Sequence, residues 1–238
     1  MFTIQLAGVN IRINSFFSQT EMAFVDFITN EKYDYCIDVT IQRVNIEREL
    51  LQNTCPGKTF KDFEIEINVL YRDISKILIK ESVILLHGVL ISVGQRGYIF
   101  TAPSGTGKST HAKLWTEVFG DKAVIINGDK PLIKLSESGV YAYGSPWKGK
   151  ENIGSNECVK LFSICYLQRG EENSIEQVKF DTKSLTWLLE QTCVKGLESS
   201  VIDRVRWFKC AAKYLKLYNF KCNMSNEAVF VAYCGMSR

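Results

Sequence analysis

A lysine directly after a Gly-x-Gly turn has little structural use, and one stands in Tyr98-Ile-Phe-Thr-Ala-Pro-Ser-Gly-Thr-Gly-Lys-Ser-Thr110. An apolar strand enters this segment, a loop with Gly105 and Gly107 turns, and a helix leaves with Lys108, Ser109 and Thr110 in its first turn. That strand–loop–helix context is what phosphate binding requires. Glycines let successive backbone N–H groups point at phosphate oxygens with no Cβ in the way. The helix start adds unpaired N–H groups and a partial positive charge. In this reading Ser104, Gly105, Thr106, Gly107, Lys108, Ser109 and Thr110 cradle the phosphates of a nucleotide, ATP or GTP. Lys108 reaches the β- and γ-phosphates, and the Ser109 hydroxyl ligates the Mg²⁺ that bridges them. The first glycine of the Walker A pattern is here Ala102, which leaves the cradle glycines beside the lysine in place. The competing reading is a glycine turn that binds nothing.

Phosphoryl transfer also needs a carboxylate at the end of a neighbouring buried strand to hold Mg²⁺. Ala-Val-Ile-Ile-Asn-Gly-Asp129 supplies one, Asp129, against the alternative of an ordinary turn before Pro131. The chain has two histidines. His111 lies one turn into the phosphate-loop helix and reads as an exposed or capping residue. His87 follows the apolar Ile84-Leu85-Leu86, at the end of a strand expected to lie beside the loop strand. A histidine there is either a satisfied core residue or the base that hydroxyl phosphorylation uses, and the nearby loop favours the base. Tyr143-Gly-Ser-Pro-Trp-Lys-Gly-Lys-Glu-Asn152 reads as a loop whose Lys148 and Lys150 either neutralise a transferred phosphoryl group or form a solvated basic turn.

The elements that must position these residues follow from periodicity. Residues 1–45 alternate apolar and polar (Phe2, Ile4, Leu6; Val9, Ile11, Ile13; Tyr35, Ile37, Val39, Ile41), the period of half-buried strands, interrupted by a helical patch from Glu21 to Ile28. From Phe63 a helical stripe runs through Ile67, Leu70, Tyr71, Ile74, Ile77 and Leu78. Val83–Leu86 and Tyr98–Thr101 read as buried strands joined by a tight connection, followed by a helix from Lys108 to Phe119 and an apolar strand to Asn127. Helices are expected over Ser184–Cys193 and Val201–Leu217, and Glu227–Tyr233 fits either state. The expected architecture is α/β: a small N-terminal α+β region, residues 1–80, then a phosphate-loop core over 81–238 that ends in a helical tail. The first region carries no residue suited to catalysis and reads as a recognition element, with Cys158–Arg169 and the Trp147–Asn152 loop forming the opposite lip of an acceptor groove.

Composition limits the function classes. The chain has 238 residues, 46% hydrophobic and 23% charged, the mix of a folded globular protein. Its net charge of +3 is too balanced to advertise a nucleic acid partner. No apolar run approaches the roughly 18 residues of a membrane helix, and the N-terminus shows no secretion signal, so a soluble cytoplasmic protein is expected. The eight cysteines form no C-x-x-C pair and read as reduced structural thiols, with Cys158, Cys165, Cys193 and Cys210 buried in apolar stretches.

Leu86-His87-Gly88-Val89-Leu90, ahead of Ser104-Gly105-Thr106-Gly107-Lys108-Ser109, resembles the catalytic domain of HPr kinase/phosphorylase. The Ser-Gly-Thr-Gly-Lys core is also similar to the nucleotide loop of phosphoenolpyruvate carboxykinase, which shares that domain's fold. Leu167-Gln168-Arg169-Gly170 resembles the segment where HPr kinases carry an Arg-Gly pair, and this adds Arg169 to the implied catalytic set of His87, Lys108 and Asp129. The resemblance covers residues 84–131 specifically, and extends more loosely to about 180. It implies an HPr-kinase/carboxykinase-like core and a Mg²⁺-dependent kinase that moves the γ-phosphate of ATP, or another nucleoside triphosphate, to a hydroxyl. The expected acceptor is a Ser or Thr of a peptide or protein, with a free amino acid or other small molecule as the alternative, and a non-catalytic nucleotide-binding module as a third reading. No membrane partner is expected, and a homo-oligomer is left open. One departure stands out: HPr kinases show an Asp-Asp pair at the metal strand, where this chain has Gly128-Asp129.

Overall fold

The computed structural model describes residues 1–192 and 201–237. They form two compact units, Met1–Glu81 and the chain from Ser82 onwards. In the first, β1 (Phe2–Leu6) and β2 (Val9–Asn14) make an antiparallel hairpin, and β3 (Tyr35–Asp38) pairs parallel with β2. Ala7 and Gly8 both take positive φ, +49° and +81°, the turn that matches strand twist in a two-residue hairpin. The alternation sends Phe2, Ile4, Leu6, Val9, Ile11 and Ile13 inward. A short helix, α1 (Ser18–Ala23), and a 3₁₀ turn (Val25–Phe27) occupy the expected helical patch. Strand character stops at Asp38, however. The Thr40 hydroxyl accepts from the Arg43 N–H, and α2 (Ile41–Thr54) begins there. The predicted strand at Ile41 is therefore a helix start. The helical stripe expected from Phe63 is α3 (Asp62–Lys80), whose wholly buried Glu66 accepts from the N–H groups of Phe16 and Phe17 and from the Thr20 hydroxyl.

The second unit is built on a nine-stranded mixed sheet. Its strands are β4 (Val83–Leu85), β5 (Gly88–Val93), β6 (Arg96–Thr101), β7 (Ala123–Asn127), β8 (Leu132–Ser136), β9 (Gly139–Tyr143), β10 (Cys158–Arg169), β11 (Ser174–Val178) and β12 (Lys216–Cys222). The main path runs β4-β8-β9-β10-β6-β5-β7, and β12 joins β10 to β11. The twelve-residue β10 is the spine: it pairs antiparallel with β9, then parallel with both β6 and β12. The helices are α4 (Lys108–Phe119), α5 (Thr182–Thr192), α6 (Val201–Ala211) and α7 (Asn226–Met236). Trp115 of α4 is fully buried against Tyr98 and Phe100 of β6, with ring centroids 5.4 and 5.2 Å away, and Ala228, Ala232 and Met236 of α7 join the same core.

Val83–Leu86 does not pair with Tyr98–Thr101: β4 pairs with β8, and the segment read as a tight connection is itself β5, antiparallel to β6. The C-terminal third is not a helical tail. The helix expected to Leu217 ends at Ala211, and β12 enters the sheet beside β10 because Leu217, Tyr218, Phe220 and Cys222 are all buried there. Cys158–Arg169 is the sheet's central strand and cannot form a groove lip along its length; only its C-terminal end reaches the cleft. Among the cysteines, Cys165 is buried, but Cys158 and Cys210 are exposed, and Cys193 lies outside the described residues. Among the described residues, no helix is long and apolar enough to cross a membrane.

Candidate functional site

The glycine loop lies between Thr101, the last residue of β6, and Lys108, the first of α4. Gly105 and Gly107 adopt φ of +80° and +120°, with open space where a Cβ would stand. Backbone conformation, not crowding, is what calls for glycine at both positions. Among the described residues no side chain caps α4, so its first-turn N–H groups have no capping side-chain partner. The Lys108 Nζ donates to the carbonyl oxygens of Ala102 (2.8 Å) and Pro103 (3.3 Å), folding the side chain along its own loop. Burial lowers the Lys108 pKa, and the Asp129 carboxylate opposes that shift. Arg169, at the end of β10, donates from Nε to the Thr106 carbonyl (3.0 Å) and from Nη2 to the Gly105 carbonyl (2.6 Å). Its guanidinium thus holds the loop backbone.

Asp129 lies just beyond β7, in a turn set by Asn127. The fully buried Asn127 side chain accepts from the N–H groups of Asp129 (3.0 Å) and Lys130 (2.7 Å) and donates to the Ser145 carbonyl and hydroxyl. The Asp129 Oδ2 pairs with the Lys130 Nζ at 2.8 Å. Its backbone carbonyl accepts from the Gly88 N–H (2.8 Å), so the start of β5 and the residue before it, His87, are drawn to the carboxylate. The His87 Nε2 stands 3.6 Å from the Asp129 Oδ1, and the Thr101 hydroxyl donates to the His87 carbonyl at 2.7 Å. Burial lowers the His87 pKa, with Lys108 adding to the effect. His87 is therefore beside the loop strand after all, but through β5 and not through β4.

These residues border one cleft of about 870 Å³ within the second unit, lined by His87, Asp129, Arg169 and the whole loop from Ser104 to Thr110. Lys148 and Lys150 line it as well. Their loop is pressed against the carboxylate, since a Cβ on Gly149 (φ +74°) would stand 2.9 Å from the Asp129 Cβ. It is tied to α4 by a Lys113–Glu151 ion pair of 2.7 Å. His111 is not exposed: it is 3% accessible, its Nε2 accepts from the Trp115 Nε1 (3.0 Å), and burial lowers its pKa to about 4. It is neutral at physiological pH and belongs to the core.

Gly128, which stands where the resemblance implies a second aspartate, has a packing reason. A Cβ there would lie 3.1 Å from the backbone carbonyl oxygens of both Lys148 and Ile153. We expect Gly128→Asp to destabilise the protein by about 1–3 kcal/mol, as overpacking does, and to disturb the Lys148–Ile153 loop without raising any activity; thermal unfolding and turnover measured together check this.

Sequence reasoning missed Asn127, Ser145 and Gly149 as the parts that join the Asp129 turn to the lysine loop, and Gln191, which contacts His87. Asn127 precedes the Gly-Asp turn and was the one detectable signal, because Asn at such a position commonly accepts from the N–H two residues on.

No protein-family model matches the chain, and no curated protein matches it. Among solved structures it is similar to the Hpr(Ser) kinase/phosphatase of Coxiella burnetii, at 9% sequence identity and a TM-score of 0.33, over 62% of this chain and 90% of that one.

Proposed function

We propose that this protein is a kinase that transfers the γ-phosphoryl group of ATP or GTP to a Ser or Thr hydroxyl of a peptide or protein. The observation that carries the reading is the convergence of a glycine loop with its lysine, a carboxylate and a histidine on one cleft. The residues present fit a nucleotide with Mg²⁺. Gly105 and Gly107 leave open space above the loop. Among the described residues no three His, Cys, Asp or Glu side chains gather into a metal cage. The Ser109 hydroxyl and the Asp129 carboxylate are hard oxygen donors of the kind Mg²⁺ uses together with substrate phosphates. Bound there, the metal would neutralise phosphate oxygens as charge moves to the leaving group.

Within this reading Lys108 exchanges its loop carbonyls for the β/γ-phosphates. Arg169 keeps the loop backbone in shape without touching phosphate. His87 takes the acceptor's hydroxyl proton on Nε2 while the new O–P bond forms and the bond between the γ-phosphorus and the bridging oxygen breaks. A second reading, a nucleotide-binding module without turnover, is favoured by the Lys130–Asp129 pair, which already neutralises the Asp129 carboxylate. A cytoplasmic location, where nucleoside triphosphate is abundant, belongs to the proposal.

The decisive experiment is nucleotide turnover by the purified protein with Mg²⁺, alone and with pools of Ser- and Thr-containing peptides or with free amino acids. Peptide-dependent turnover supports the proposal. Turnover with amino acids alone makes it a small-molecule kinase, and binding without turnover makes it a module. The role assigned to the first unit is tested by removing Met1–Glu81. We expect nucleotide binding to remain measurable by calorimetry and modification of the acceptor to be lost. A folded truncation that still modifies the acceptor normally would rule out recognition by that unit.

A further inference from the structure

One residue grips His87 twice. The His87 N–H donates to the backbone carbonyl of Gln191 at 2.8 Å, and the His87 Nδ1 lies 2.9 Å from the Gln191 Oε1. Gln191 sits in the last turn of α5, 104 positions along the chain. A side-chain carbonyl oxygen accepts and cannot donate, so the ring proton belongs on Nδ1 and the lone pair on Nε2. The pull from the other side is opposite: the Asp129 Oδ1, 3.6 Å from Nε2, would draw the proton to Nε2. A contact of 2.9 Å is a hydrogen bond and one of 3.6 Å is not, so Gln191 wins. The Thr101 hydroxyl on the His87 carbonyl completes the grip.

We propose that Gln191 is a positioning residue of this site, fixing His87 in the Nδ1–H tautomer so that its Nε2 lone pair faces the carboxylate and the acceptor. This rests on the reading of His87 as the base. Without Gln191 the neutral ring can turn its proton toward Asp129, and a ring protonated at Nε2 has no lone pair where the acceptor hydroxyl must lose its proton.

The tautomer can be read directly and without any turnover, because the chain holds only two histidines. Long-range ¹H–¹⁵N spectra of the full chain at neutral pH should show both rings protonated at Nδ1, His111 because its Nε2 accepts from Trp115. Gln191→Met, similar in shape but without the acceptor, should leave the His111 signals in place, which reports an intact fold, and move His87 toward the Nε2–H form. Gln191→Glu keeps an acceptor and should keep the wild-type pattern. In turnover, Gln191→Met should lower kcat by roughly 10- to 100-fold, a part of what a positioned general base contributes, with the nucleotide KM unchanged and most of the rate restored in Gln191→Glu. A wild-type His87 protonated at Nε2, or a His87 tautomer unmoved in Gln191→Met, overturns the proposal. An Nδ1–H ring in a wild-type protein that turns over no nucleotide overturns the kinase reading and leaves the tautomer assignment standing.

Discussion

Lys108→Ala is expected to abolish nucleotide-dependent phosphoryl transfer while the fold survives. The lysine is 8% accessible and donates to two carbonyls of the loop that, in the proposed reading, holds the triphosphate. Little covalent chemistry is left to the protein in phosphoryl transfer, so positioning and charge supply nearly all of the catalysis. Once the Lys108 ammonium is gone, Arg169 still holds the Gly105 and Thr106 carbonyls from the end of β10, but no ammonium remains in the first turn of α4. A loss of several orders of magnitude in turnover is the expected result, with a circular dichroism spectrum close to wild type. A variant that keeps a tenth of the wild-type rate would defeat the phosphate-loop assignment.

The second large effect separates the carboxylate from the base. Asp129→Asn removes the one carboxylate of the Gly128–Lys130 turn, so activity and its Mg²⁺ dependence should fall together. His87→Ala should spare nucleotide binding and slow transfer by roughly 10²- to 10⁴-fold, the usual worth of a positioned general base. The base must be unprotonated to act, and burial beside Lys108 holds the His87 pKa below its ordinary 6.5. Activity should therefore be level at neutral pH and decline only as the pH falls below that value. Should His87→Ala instead leave the transfer rate intact and destroy nucleotide affinity, His87 is structural and the proton leaves by another route.

Contiguity decided what the sequence could reveal. The placement of the glycine loop between β6 and α4 is legible because the strand, the two glycines and the helix start follow one another directly along the chain. Asp129 is legible for a related reason, at the end of an apolar strand just before a turn. Gln191 is not, because its hold on His87 is a tertiary contact across 104 positions with no local pattern. Burial blurred the strand signal at β12, where Leu217 and Tyr218 are adjacent and both buried, so strict alternation is lost and the preceding helical stripe reads straight through. The opposite failure hid α2: only Val44 and Glu47 are buried along its fourteen residues, too few to draw a stripe. Gly128 shows a third case, since its reason lies in two carbonyl oxygens some twenty residues downstream that no local pattern announces.

The pairing of β10 with three strands, β6 along one edge and β9 then β12 along the other, has a consequence for how the protein comes into being. Strand Cys158–Arg169 draws its partners from residues 96–101, 139–143 and 216–222, so its hydrogen bonds join stretches separated by long loops whose closure entropy must be met first. Such non-local pairing slows folding. During synthesis the glycine loop emerges early, yet Arg169, the side chain that holds its backbone, stands opposite Cys222 in the parallel pairing with β12. A chain halted before residue 216 would carry every residue of the glycine loop and leave Ser163–Arg169 of β10 without its β12 partner. Ribosome-bound chains of increasing length should therefore acquire nucleotide affinity in a late step, as β12 clears the exit tunnel, and not when Lys108 first appears.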